Sequence, residues 1–97
     1  MKKTDKTGGT SFRGYIQVDY DTLVKVFGEP HYRDGYKTDA EWAFDFDGVI
    51  GTIYNYKDGK NYLGADGLET KDIVNWHIGG FSNKVVEVVK KALSISY

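Results

Sequence analysis

The chain has no cysteine, which excludes disulfides, thiolate metal sites and a cysteine nucleophile, and is compatible with a reducing compartment. It has one proline, Pro30, and no apolar run approaching the length needed to cross a bilayer. Neither sign of charge is in excess: Lys+Arg 13 against Asp+Glu 14 leaves a formal charge of -1. Such a balance lacks the basic footprint that phosphate-backbone binding needs, and also the heavy acidity of a DNA mimic, so direct nucleic-acid binding is not expected. Histidine is scarce, with only His31 and His77. Ser82 has no nucleophile-elbow sequence around it, and a Ser-His-acid triad is hard to assemble. No GxGxxG, P-loop or HExxH pattern occurs, and residues 58–69 lack the Asp/Asn ladder of a calcium loop. The expectation is a protein with no catalytic residue, no metal and no cofactor. Met1-Lys2-Lys3 opens like a leader, but residues 4–10 are polar and offer no apolar segment, so a soluble, cytoplasmic protein is expected.

What the chain does have is enough apolar material for one core. Its 97 residues are 40% hydrophobic and 15% aromatic, which fits a single small domain. Residues 1–11 are polar and read as a flexible arm, leaving residues 12–97 as the domain.

Residues 41–57 (EWAFDFDGVIGTIYNYK) organise that domain. Trp42, Phe44 and Phe46 alternate with Ala43, Asp45 and Asp47, the period of a half-buried strand. Asp47-Gly48 is the strongest short signal for a type I′ hairpin turn. A turn there pairs Phe46 with Val49, Phe44 with Gly51 and Trp42 with Ile53, all on one core-facing side. The reverse side carries Glu41, Ala43, Asp45, Ile50, Thr52, Tyr54 and Tyr56.

Around the hairpin, residues 12–18 alternate Phe12, Gly14, Ile16 and Val18 against Arg13, Tyr15 and Gln17, a further strand. Asp19 caps a short helix over 20–27, which Gly28 and Pro30 close. Residues 31–39 form a connection with a turn at Asp34-Gly35, and residues 60–72 form a long loop. Residues 73–78 read as a strand with Val74, Trp76 and Ile78 inward, broken by Gly79-Gly80. Ser82 then caps a helix over 83–93, with Val85, Val88, Val89, Ala92 and Leu93 at helical spacing. Trp42 and Trp76 belong to the core. The fold class is α+β, in the order β-α-β-β-β-α: a mainly antiparallel sheet with two helices on one face and the other face open.

Two features could carry binding. A strand running through Gly79-Gly80 into a helix start at Ser82 could offer free backbone N–H groups to phosphate, or could simply turn the chain. The open face would gather Tyr15, Gln17, Thr52, Tyr54, Tyr56, Asn75 and His77. Rings and amides together suit stacking on a purine, equally suit a protein interface, and equally suit a plain solvated face. Rings in such number make homo-oligomerisation an expectation too. Arg13, Arg33 and Lys57 could meet a ligand phosphate or be ordinary surface.

Phe27-Gly28-Glu29-Pro30, then EWAFDFDGVIGTIYNYK, then WHIGG before a terminal helix resemble a family of small proteins from phage and prophage genomes. The resemblance spans residues 14–93, and DGxxxTIYxxK followed by WHIGG is its distinctive part. It implies an accessory protein acting against bacterial defence in the host cytoplasm, and it carries no catalytic residue. The leading expectation is a non-enzymatic protein that sequesters a small nucleotide-type immune signal. Gly79, Gly80 and Ser82 would hold phosphate, Tyr15, Tyr54 or Tyr56 would stack on the base, His77 would hydrogen-bond, and the 60–72 loop would act as a lid. The alternative is a protein–protein inhibitor of a host defence nuclease or CRISPR effector, and a metabolic enzyme using His77 ranks third.

Overall fold

The computed structural model describes residues 2–3, 8–30 and 39–96, and within them the chain is the expected α+β domain. His31, Arg33 and the Asp34-Gly35 turn lie outside the described residues. The elements are β1 (Lys2–Lys3), β2 (Ser11–Gln17), α1 (Tyr20–Phe27), β3 (Glu41–Phe46), β4 (Val49–Tyr54), the one-turn α2 (Lys60–Leu63), β5 (Asn75–Gly80) and α3 (Lys84–Ser96). The sheet order is β1-β3-β4-β5-β2, with every neighbouring pair antiparallel.

The hairpin has the register that its turn dictates: Phe46 opposite Val49, Phe44 opposite Gly51, Trp42 opposite Ile53. Asp47 (φ 51) and Gly48 (φ 89) are both left-handed, as a type I′ turn requires. The Asp45 carboxylate accepts the Gly48 amide at 2.8 Å and steadies the corner.

Helix α1 starts where Asp19 accepts the Thr22 amide at 3.2 Å. It stops at Gly28 (φ 84), whose N–H bonds back to the Val24 carbonyl at 2.8 Å. Both long helices cover one sheet face. Phe27 of α1 meets Phe44 of β3 at 5.5 Å between centroids, while Val85, Val89 and Leu93 of α3 join the same core cluster. Trp42 and Trp76 sit at its centre, edge to face at 5.3 Å. Each buried indole satisfies its one donor on a backbone carbonyl, Gly28 for Trp42 at 2.7 Å and Val18 for Trp76 at 2.9 Å.

Four expectations change. The backbone of Lys2–Lys3, placed in the arm, pairs with Phe44 and Asp45 as a sheet edge, and Ser11 already belongs to β2. The 60–72 loop is largely wound up, as α2 and 3-10 turns at Gly64–Asp66 and Thr70–Asp72. Strand β5 begins at Asn75 rather than 73, leaving Val74 47% exposed, and it runs through Gly79 and Gly80 instead of breaking there. Finally, β2 carries a bulge: Phe12 pairs with Gly79, but Gly14 pairs with Ile78, so Arg13 is an extra residue. One extra residue reverses side-chain parity, and Phe12 therefore lies on the open face while Gly14 and Ile16 stay on the helix face.

Candidate functional site

The functional question sits on the face that α1 and α3 leave open. Antiparallel pairing places Tyr15 of β2 and Tyr54 of β4 directly opposite His77 of β5, one on each side. Residues directly opposite in a ladder project to the same face, so these three side chains must meet. The bulge adds Phe12, and Tyr56 follows just past the end of β4. His77 becomes the hub of four rings, with centroids at 5.0 Å for Tyr15, 5.2 Å for Phe12, 5.4 Å for Tyr54 and 5.6 Å for Tyr56. Phe12 and Tyr15 also touch edge to face at 4.8 Å. Together the five side chains line a shallow cup of about 340 Å³.

The cup is part-buried at its base, where Tyr54 and His77 sit, and exposed at its rim. Tyr15 is 65% exposed, and Phe12 and Tyr56 are also exposed. Burial pushes the His77 imidazole below its ordinary pKa, with the nearby Asp58 carboxylate pulling the other way. At neutral pH His77 is therefore uncharged, with one ring nitrogen able to donate and the other able to accept. Burial first, then the negative charge of Glu41, raises the Tyr54 phenol, so Tyr54 keeps its proton and can donate. Neutral rings, phenol O–H groups and a neutral imidazole can stack on a planar ligand and read its polar edge. Among the described residues no group of three histidines and carboxylates converges as a metal site.

No family model, curated protein or solved structure matches the chain.

Tyr15, Tyr54, Tyr56 and His77 are thus brought together, whereas Gly79, Gly80 and Ser82 are not part of the cup. The free-amide reading of Gly79-Gly80 is overturned: both are internal to the ladder, Gly79 between Phe12 and Thr52, Gly80 between Ser11 and Gly51. Their missing side chains serve packing. A Cβ at Gly80 would press on Val85 at 2.8 Å, and one at Gly79 on the Thr52 hydroxyl at 2.6 Å. Ser82 lies in the exposed link after β5, and its carbonyl accepts the Val85 amide at 3.3 Å. Helix α3 starts one residue later than expected, so Asn83 rather than Ser82 directly precedes it.

Phe12 is the cup residue that alternation missed. Its sequence signal was Gly14, since a glycine inside a strand pattern often marks a bulge. A second missed feature is Asn55, fully buried just below Tyr56. Its carbonyl oxygen accepts the amides of Asp39 (2.7 Å) and Ala40 (3.1 Å), and its Nδ2 donates to the carboxylates of Asp39 (3.0 Å) and Asp58 (2.9 Å). Asp39 in turn accepts the Asn61 amide at 3.2 Å. This knot fixes the turn that carries Tyr56, Lys57 and Asp58 beside the cup.

Proposed function

We propose that the chain is a non-catalytic binding protein whose aromatic cup takes the planar base of a small nucleotide-type ligand. One observation carries the reading: five ring-bearing side chains from three strands and the chain beyond β4 converge on one cavity, with the neutral His77 at its centre. Base stacking on aromatic side chains contributes about 1–3 kcal/mol per base, and buried polar edges supply selectivity. Recognition on this reading rests on the base, because Gly79 and Gly80 are committed to the sheet. The resemblance to small phage and prophage proteins supplies the setting, in which such a protein sequesters a nucleotide immune signal in the host cytoplasm.

Titration calorimetry with a panel of purine and pyrimidine nucleosides and nucleotides tests it. Binding that disappears in Tyr54→Ala, with the fold intact by circular dichroism, supports the cup. Absence of heat for every ligand at millimolar concentration sinks it.

A second reading is favoured by the exposure of Phe12 and Tyr15. Rings standing this far out of a sheet face also suit a protein interface, either with a host defence nuclease or CRISPR effector or with a second copy of the chain. Co-purification of a stoichiometric host protein, lost in Tyr15→Ala, would favour it over the nucleotide.

A further inference from the structure

The cup does not stand alone. On the other side of the Tyr15–His77 pair, whose rings meet at 5.0 Å and 86°, lies a second recess of about 440 Å³. Tyr15 and His77 are its shared wall, and Gln17, Asn75 and Asp58 complete its polar lining. The two hollows differ in chemistry: the first is lined by rings only, while the second adds two amides, a carboxylate and Ile16 to the shared rings. Gln17 and Asn75 are already joined, Nε2 to Oδ1 at 3.1 Å, across the β2–β5 ladder.

Asp58 is held in place from below. Its Oδ1 accepts Nδ2 of the fully buried Asn55 at 2.9 Å, and Asn55 is itself fixed on Asp39 and Ala40. Its other oxygen, Oδ2, accepts no hydrogen bond among the described residues. The carboxylate is close enough to His77 for its charge to act on the imidazole. A preset acceptor in a recess that shares the Tyr15–His77 wall with an aromatic cup matches a ligand that joins a flat ring to a pair of hydroxyl donors.

We propose that the two hollows form one bipartite ribonucleoside site, with the base in the aromatic cup and the ribose vicinal hydroxyls on the Asp58 carboxylate. The assignment rests on the reading of the cup as a base site and adds the sugar. It also orients the ligand. The Asp58 charge disfavours a phosphate in the recess, Arg13 is engaged on the carbonyls of Gly80 and Phe81, and Lys57 lies against the Tyr56 and Tyr62 rings. Any phosphate is directed outwards from the sugar recess, towards solvent.

The test compares adenosine with 2′-deoxyadenosine by calorimetry on the whole chain and on Asp58→Asn. Asparagine can keep the oxygen that Asn55 needs while replacing the second oxygen with an amide nitrogen, which removes the charge and that acceptor together, and thermal unfolding checks that the variant folds. Adenosine is expected to bind about tenfold more tightly than its deoxy analogue, the factor one charge-assisted hydrogen bond supplies. Asp58→Asn should erase that preference, weakening adenosine more than 2′-deoxyadenosine, which has only its 3′-hydroxyl to lose from the carboxylate. Equal affinities in the unaltered chain, or a preference that survives in Asp58→Asn, overturn the sugar assignment and leave the cup standing. Failure of both nucleosides to bind overturns the base site and the sugar assignment together.

Discussion

Arg13 reaches across the end of β5 and donates Nε–H to the carbonyl of Gly80 and Nη2–H to that of Phe81, each at 2.9 Å. The side chain of the extra residue in the bulge thus pins β2 to the exit of β5, outside the regular ladder. That contact holds the parity switch which turns Phe12 towards His77. Arg13→Met keeps the aliphatic stem and loses both donors. Because Arg13 is only half-buried, the expected loss is about 1–2 kcal/mol, the lower part of the range for hydrogen bonds from a charged group. Urea unfolding measures it, and the ring-current shifts on His77 should move as Phe12 loosens. Unchanged shifts would mean that backbone pairing alone keeps the bulge.

The same bulge explains where sequence reading succeeded and failed. Register in the 41–54 hairpin was legible because period-two alternation and Asp47-Gly48 agree, and one turn then fixes six partners. Helix α1 was legible to the residue because Asp19 and Gly28 each act locally. Tyr15, Tyr54 and His77 came together because parity within an unbroken strand is a local property. Phe12 was misplaced because parity cannot be carried across an unseen bulge. Gly79-Gly80 looked like a break because paired glycines usually are one. Here Val85 and the Thr52 hydroxyl occupy the space their side chains would fill, a tertiary fact with no local trace. Nothing in the spacing of Asn55, Asp39 and Asp58 announces that Asn55 is buried among them.

Removal of Asn55 has the largest expected effect on stability. Asn55→Ala leaves the buried amides of Asp39 and Ala40 without their acceptor, and the buried Asp39 and part-buried Asp58 carboxylates without their shared donor. The expected cost is about 3 kcal/mol or more, since each stranded buried group carries its own desolvation penalty. Asn55→Asp should be worse still at neutral pH, where a third carboxylate would face Asp39 and Asp58. It should recover part of the loss as the carboxylates protonate in acid. Urea midpoints at neutral and acidic pH separate the two effects, and equal midpoints for both variants at both pH values would refute the knot.

His77 makes the stability of the domain depend on pH in a defined direction. Burial lowers its pKa from the ordinary value of 6.5, so between the folded value and 6.5 the unfolded chain binds more protons than the folded one. Stability from this group is complete above 6.5, declines as pH falls through that window, and levels off below the folded value. His77→Phe preserves a ring in the cup and removes the titration. The stability of the unaltered chain relative to this variant should therefore be flat above 6.5 and fall below it. Proton NMR of the imidazole should give a midpoint below 6.5. Asp58 acts in the opposite sense, its charge favouring the imidazolium, so Asp58→Asn should lower that midpoint further. A midpoint that does not fall in Asp58→Asn would mean that the carboxylate's charge does not raise the His77 pKa, and would separate the recess from the cup.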